Sequence, residues 1–97
     1  MSELERAKTI QLIKSISDNA TKMTYEEINL SEPVLLQVQQ FYDEQTKSGS
    51  LSAMGLLIAL VSGIPREAIK KMAFTDYKAC EVYLMSFLSY SPPVSGG

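Results

Sequence analysis

Residues 51–64 read LSAMGLLIALVSGI, fourteen residues in which only Ser52, Gly55, Ser62 and Gly63 interrupt the apolar side chains. A helix that crosses a bilayer needs about twenty such residues. The run therefore predicts a buried central helix rather than a membrane span. Its apolar residues fall on nearly every face, so other elements must surround it. Ser50, after the flexible Ser48-Gly49 loop, is placed to cap its start. Gly63 suits the left-handed position just past its end, with Ile64 supplying the closing apolar contact.

Downstream, Pro65 fits a first helical position, because its missing N–H costs nothing there. A short helix, PREAIKKM (65–72), follows, with Ile64, Ala68, Ile69 and Met72 inward and Arg66, Glu67, Lys70 and Lys71 in water. Thr75 is placed to cap a last helix, with Asp76 in its first turn favoured by the helix dipole. In DYKACEVYLMSFLSY (76–90), Tyr77, Cys80, Tyr83, Leu84, Phe87 and Leu88 recur at three-and-four spacing. Pro92 and Pro93 stop that helix, leaving 1–90 as a single domain and 91–97, SPPVSGG, as a tail.

Upstream, Pro33 marks a helix start, and Val34, Leu35, Val38, Phe41 and Tyr42 form one stripe of residues 32–47. The first thirty residues admit two readings. Leu4, Ala7, Ile10, Ile13 and Ile16 recur every three residues, as a helix would use. TIQLIKSI (9–16) is also rich in β-branched residues, with Ile10, Leu12 and Ile16 on one strand face. MTYEEINL (23–30) alternates imperfectly, with Met23, Tyr25 and Glu27 set against Ile28 and Leu30. SDNATK (17–22) between them is turn chemistry. Periodicity leaves helix and β-hairpin both open.

Composition narrows the function. Ninety-seven residues make one domain with a thin core. Nine Lys and Arg against eleven Asp and Glu give a net charge of −2, which speaks against a nucleic-acid or anionic-membrane binder. The absence of His removes Ser-His and Cys-His nucleophile pairs, and a single Cys removes disulfide frameworks and multi-Cys metal sites. The start, MSELERAKTIQLIK, is too charged for a signal peptide. The expectation is a cytosolic binding protein without catalysis, cofactor or metal. Glu26-Glu27 and Asp43-Glu44 are adjacent carboxylates that point apart, so both pairs read as solvated surface. Cys80 reads as a buried structural thiol. One alternative is a helix-turn-helix regulator: Ala59, Gly63, Ile64, Ile69 and Met72 fall at its packing and turn positions. Arg66, Lys70 and Lys71 would then face DNA. The acidic balance and the greasy first helix of that pair count against it.

The order of INLSEP (28–33), VLLQVQQFYDEQ (34–45), AMGLLIALVSGIP (53–65) and FTDYKACEVYLMSFL (74–88) resembles the tail assembly chaperones of long-tailed phages. Residues 9–30 look like that family's N-terminal hairpin, so the resemblance covers residues 8–89. The family hairpin often has a Gly at its turn, and SDNATK has none. The resemblance implies an α+β domain, an N-terminal β-hairpin followed by a small bundle of about four helices. It also implies a non-enzymatic holdase for the tape measure protein, the long helical chain that sets tail length. Tail tube subunits would displace it, in the cytoplasm of the bacterial host, and it would be absent from the mature virion. A longer, frameshifted form of the chain is a further expected partner, with SPPVSGG as the hinge into it. Helix-in-groove physics then nominates Leu36 and Phe41 on the first helix and Met85 and Tyr90 on the last as partner-binding residues. Burial of the same residues in a homo-oligomer is the competing reading.

Overall fold

The computed structural model describes residues 6–92, so Leu4 of the N-terminal pattern and most of the SPPVSGG tail lie outside the described residues. Strands β1 (Ala7–Asp18) and β2 (Met23–Ser31) form an antiparallel hairpin. Helices α1 (Leu35–Ser48), α2 (Ser50–Ser62), α3 (Arg66–Ile69) and α4 (Phe74–Leu88) follow. The fold is α+β, a hairpin and then four helices, and the strand reading of the first thirty residues holds. Ile10 pairs with Ile28, and both are buried with Ile16 and Leu30 in one core.

The hairpin turn works without glycine because Asp18 organises it. The Asp18 carbonyl accepts the Lys22 N–H at 2.8 Å, and its carboxylate accepts the Thr21 hydroxyl at 2.7 Å. Lys22 takes the left-handed conformation, φ +63°, that a glycine would otherwise supply. Pairing runs from Ala7↔Ser31 to Gln11↔Glu27 and then jumps to Ile16↔Tyr25. Residues 12–15 thus stand opposite Glu26 alone. A strand's side chains alternate with period two, so such a jump changes which positions face inward. That is why residues 23–30 alternate imperfectly, with Tyr25 and Ile28, three apart, both packed on the core.

Asp76 anchors this bulge. Its carboxylate, buried in the first turn of α4, accepts the Ile13 N–H at 2.9 Å (Oδ1) and the Lys14 N–H at 3.1 Å (Oδ2). The Ile13 side chain meanwhile points to solvent, 81% exposed. The expected Thr75 cap is absent: α4 begins at Phe74 with Ala73 as its N-cap and no side-chain capping bond. Asp76 therefore serves a strand far away rather than only its own helix dipole.

The central helix is α2, with Ala53, Met54, Leu57 and Ile58 buried. Gly63 takes the left-handed C-cap at φ +79°, donating its N–H to Ala59 O at 2.9 Å. At the other end Ser50 is the first helical residue, not the cap. Gly49 alone separates α1 from α2, at φ +93° and ψ 174°, a region essentially reserved for glycine. The expected flexible loop is thus a one-residue joint. It folds α1 antiparallel onto α2, so that Glu44 meets Ser52 and Gln37 meets Leu60.

Because α1 packs chiefly against α2, only Phe41 of its expected stripe is buried, while Val34, Leu35 and Tyr42 remain exposed. In α4, Tyr77, Cys80, Tyr83 and Leu84 are buried as the spacing requires. The helix ends at Leu88, ahead of the prolines, so Tyr90 lies beyond it rather than on it.

Replacing Asp76 by Ala leaves two part-buried N–H groups without their charged acceptor and should cost about 3 kcal/mol. Urea denaturation measures the loss, and amide exchange at Ile13 and Lys14 should accelerate beyond the global change. Gly49→Ala should cost about 1–3 kcal/mol from backbone strain alone. An added Cβ there meets nothing within 4 Å, so an unchanged melting curve would refute that account.

Candidate functional site

A polar clip sets the helices' mutual positions. The Arg66 guanidinium donates to Glu44 Oε2 at 2.7 Å and to Ser52 Oγ at 2.8 Å. The Ser52 hydroxyl also donates to Glu44 Oε2, at 2.6 Å. One carboxylate thereby ties α1, α2 and α3 together. The Ser52 hydroxyl and then the Arg66 guanidinium hold the Glu44 carboxyl down to about 2. Glu44 is half-buried, so the solvated reading holds for Asp43 and fails for its neighbour. Adjacent helical side chains diverge by about 100°, and here one turns into the clip while the other meets water.

The clip also removes the helix-turn-helix alternative. The second helix of that pair is a four-residue turn, α3, too short to read a major groove. Arg66, its leading cation, is turned inward onto Glu44. Cys80 is fully buried, and burial, followed by the nearby Asp76 carboxylate, pushes its thiol up to about 11. Such a thiol is inert at neutral pH. Among the described residues no group of three His, Cys, Asp or Glu side chains could hold a metal ion. No described helix is long and apolar enough to cross a membrane.

Two apolar grooves flank the first half of α2. The larger, about 310 Å³, lies between the second half of α1, the start of α2 and the end of α4. Phe41 and Met54 are its buried members, and Tyr42, Met85 and Leu88 complete the apolar lining. The Phe41 and Tyr42 rings meet edge to face at 5.1 Å. Gln45, Ser50, Glu81 and Ser89 supply the polar rim. Glu81 is held by Lys78 at 2.7 Å. The smaller groove, about 200 Å³, lies on the other side of α2. Leu51 and Gly55, with Ile69, Met72, Phe74 and Tyr77, form its apolar lining, and Arg66 and Lys70 its cationic edge.

Of the four nominated residues, Phe41 and Met85 come together in the larger groove. Leu36 projects from the first turn of α1 at 63% exposure, and Tyr90 is exposed past the end of α4; neither lines either of these two grooves. Tyr42 and Leu88 belong to apolar stripes that read as core-facing in the sequence, and Met54, buried in the core, also forms part of the groove. Their apolar periodicity is the same whether a neighbouring helix covers them or stops short. Met54 carried the one available signal, as an unbranched side chain suited to an irregular surface.

A family model described as "Phage tail assembly chaperone proteins, E, or 41 or 14" matches residues 8–89. No curated protein and no solved structure matches the chain.

The clip makes stability depend on acid. The Glu44 carboxyl lies below its ordinary value of 4.5 in the folded chain, so its contribution is complete above about pH 4.5. It is lost as pH falls toward 2. Asp18, lowered chiefly by the Thr21 hydroxyl, acts in the same direction. Glu44→Gln should lower the urea midpoint at pH 7, and the gap from the unsubstituted chain should close as pH approaches 2. A gap that is constant over this range would exclude the ionised clip as its cause.

Proposed function

The chain belongs to the phage tail assembly chaperones, and we propose that it binds the tape measure protein and keeps it soluble while tail tube subunits assemble around it. The family implies a non-enzymatic role with phage tail proteins as partners. The more specific client rests on one observation, the apolar groove formed by Phe41, Tyr42, Met54, Met85 and Leu88. A long unassembled amphipathic helix exposes an apolar stripe and aggregates through it. A trough between helices, with an apolar floor and polar edges, covers such a stripe by helix-in-groove docking. Two of the five apolar lining residues are methionines, whose flexible side chains adapt to segments of differing shape. A chaperone that meets many stretches of one client needs that tolerance.

On this reading the complex forms in the bacterial cytoplasm, and the tube protein displaces the chaperone, which is then absent from the finished virion. A longer frameshifted form of the chain would bring the same domain to the assembly site on an added segment.

Co-expression with the tape measure protein of the same phage tests the proposal. The client should stay in the soluble fraction and co-purify with the chain. The double substitution Tyr42→Lys and Met85→Lys should reduce co-purification at least tenfold. Both residues are exposed, so the melting temperature should move by no more than a few degrees. A client that remains insoluble beside the unsubstituted chain would refute the function. Undiminished co-purification with the double variant would refute the groove alone.

A further inference from the structure

We propose that the larger groove selects apolar helical stripes flanked by Lys or Arg, and that Glu81 is the residue that makes the selection. The proposal rests on the groove's being the seat of the client and adds which stretches of the client it takes. Of the described residues that line the groove, Glu81 alone carries a charge. Tyr42 and Gln45 on the α1 wall and Ser50 on the α2 wall are neutral. The polarity of the groove is therefore set by α4.

The α4 wall is negative in two places. Lys78 binds Glu81 Oε1 at 2.7 Å, while Oε2 faces the Tyr77 hydroxyl at 3.4 Å, the long limit of a hydrogen bond. A carboxylate can accept about four hydrogen bonds, so Glu81 keeps capacity for a cation brought by a partner. The Lys78 side chain is 53% exposed, and water screens a pair of this kind. The end of α4 also belongs to the groove, through Leu88 and Ser89. A helix C-terminus carries about half a negative elementary charge on its unpaired carbonyls. The last turn of α4 holds no basic residue to offset it. Glu81 and Leu88 lie two turns apart on one face of α4, about 10 Å. Cations repeating with the stripe of a docked helix meet both when that helix runs along α4.

The smaller groove has the opposite sign, with Arg66 and Lys70 at its edge. A stripe flanked by cations is disfavoured there and favoured in the larger groove. Complementary potential steers encounter and suppresses the wrong pairing more than it raises affinity. The net charge of −2 acts in the same direction at longer range. Apolar contact with Phe41, Met54 and Met85 thus supplies tolerant affinity, and Glu81 supplies the choice among stretches of similar apolarity.

Two synthetic amphipathic helices with the same leucine stripe, one flanked by Lys and one by Glu, test the selection on the full chain. Amide chemical shifts of Met85 and Leu88 report occupancy of the groove up to millimolar peptide. At low ionic strength the Lys peptide should bind roughly fivefold more tightly. In about 1 M salt, where charges act over only about 3 Å, the ratio should approach one. Glu81→Gln should remove the preference. Lys78→Gln, which frees the carboxylate, should enlarge it, a change that a merely structural role for Glu81 would not produce. Equal affinities for the unsubstituted chain would overturn the selection and leave the groove as the client's seat. So would a preference that survives Glu81→Gln, because it would come from the net charge alone. If neither peptide binds, the groove fails as a seat for helices and the selection falls with it.

Discussion

The carboxylate of Asp76 holds β1 from sixty-three residues away in the chain and ties the irregular stretch of the hairpin to α4. A two-stranded hairpin is marginal on its own in water. This one also has a register jump that leaves residues 12–15 opposite Glu26 alone. Backbone N–H groups at such a bulge need acceptors. A charged carboxylate makes stronger hydrogen bonds than a neutral carbonyl. By accepting the amides of two successive residues, Asp76 converts the defect into the point where the sheet attaches to α4. The bond also fixes the phase of α4, since Tyr77, Cys80 and Leu84 enter the core on the face that Asp76 begins. An Asp at the opening of the last helix thus has a tertiary reason beyond its interaction with the helix dipole.

Legibility from sequence followed the range of the interaction. The apolar run at 51–64, the Gly63 stop and the spacing of Tyr77, Cys80, Tyr83 and Leu84 depend on contacts one turn away or on a single backbone conformation. The helix, its stop and the α4 spacing appear in the structure as read, whereas the expected enclosure of α2 on nearly every face does not: Leu51 is exposed and Leu56, Leu60 and Val61 are half-buried. The hairpin was harder, because two periodicities competed and the bulge that breaks the alternation is held from outside the strand. Glu44 could not be told from Asp43, since their difference depends on Arg66, which only the folding of α3 back along α2 brings near. Ser-Gly-Ser is ordinary loop composition, so nothing local in the sequence marks a one-residue joint at Gly49. Its conformation goes with the α1–α2 packing on either side.

The same joint bears on the larger groove of the helical layer. A single-residue turn forces α1 onto α2 and leaves little freedom to reach α4. The gap between α1 and α4 is the larger groove, with Phe41 and Met54 at its buried side and Met85 and Tyr42 at its edges. Closing α1 over it would bury more apolar surface, at about 25 cal/mol per Å². The chain forgoes that stabilisation, which is substantial for a domain of this size. The clip of Glu44, Ser52 and Arg66 ties α1 to α2 and α3, on the side of α1 away from that gap's lining residues.

A single groove of this size, open on one side, is suited to weak contact. At a dissociation constant of 1 mM, such a site contributes about 4 kcal/mol. On the proposed reading, several copies bound along one long client would add contacts of this kind through the shared client chain. An advancing tube would then compete with one weak contact at a time, whereas a single tight site would give comparable affinity and lose that property.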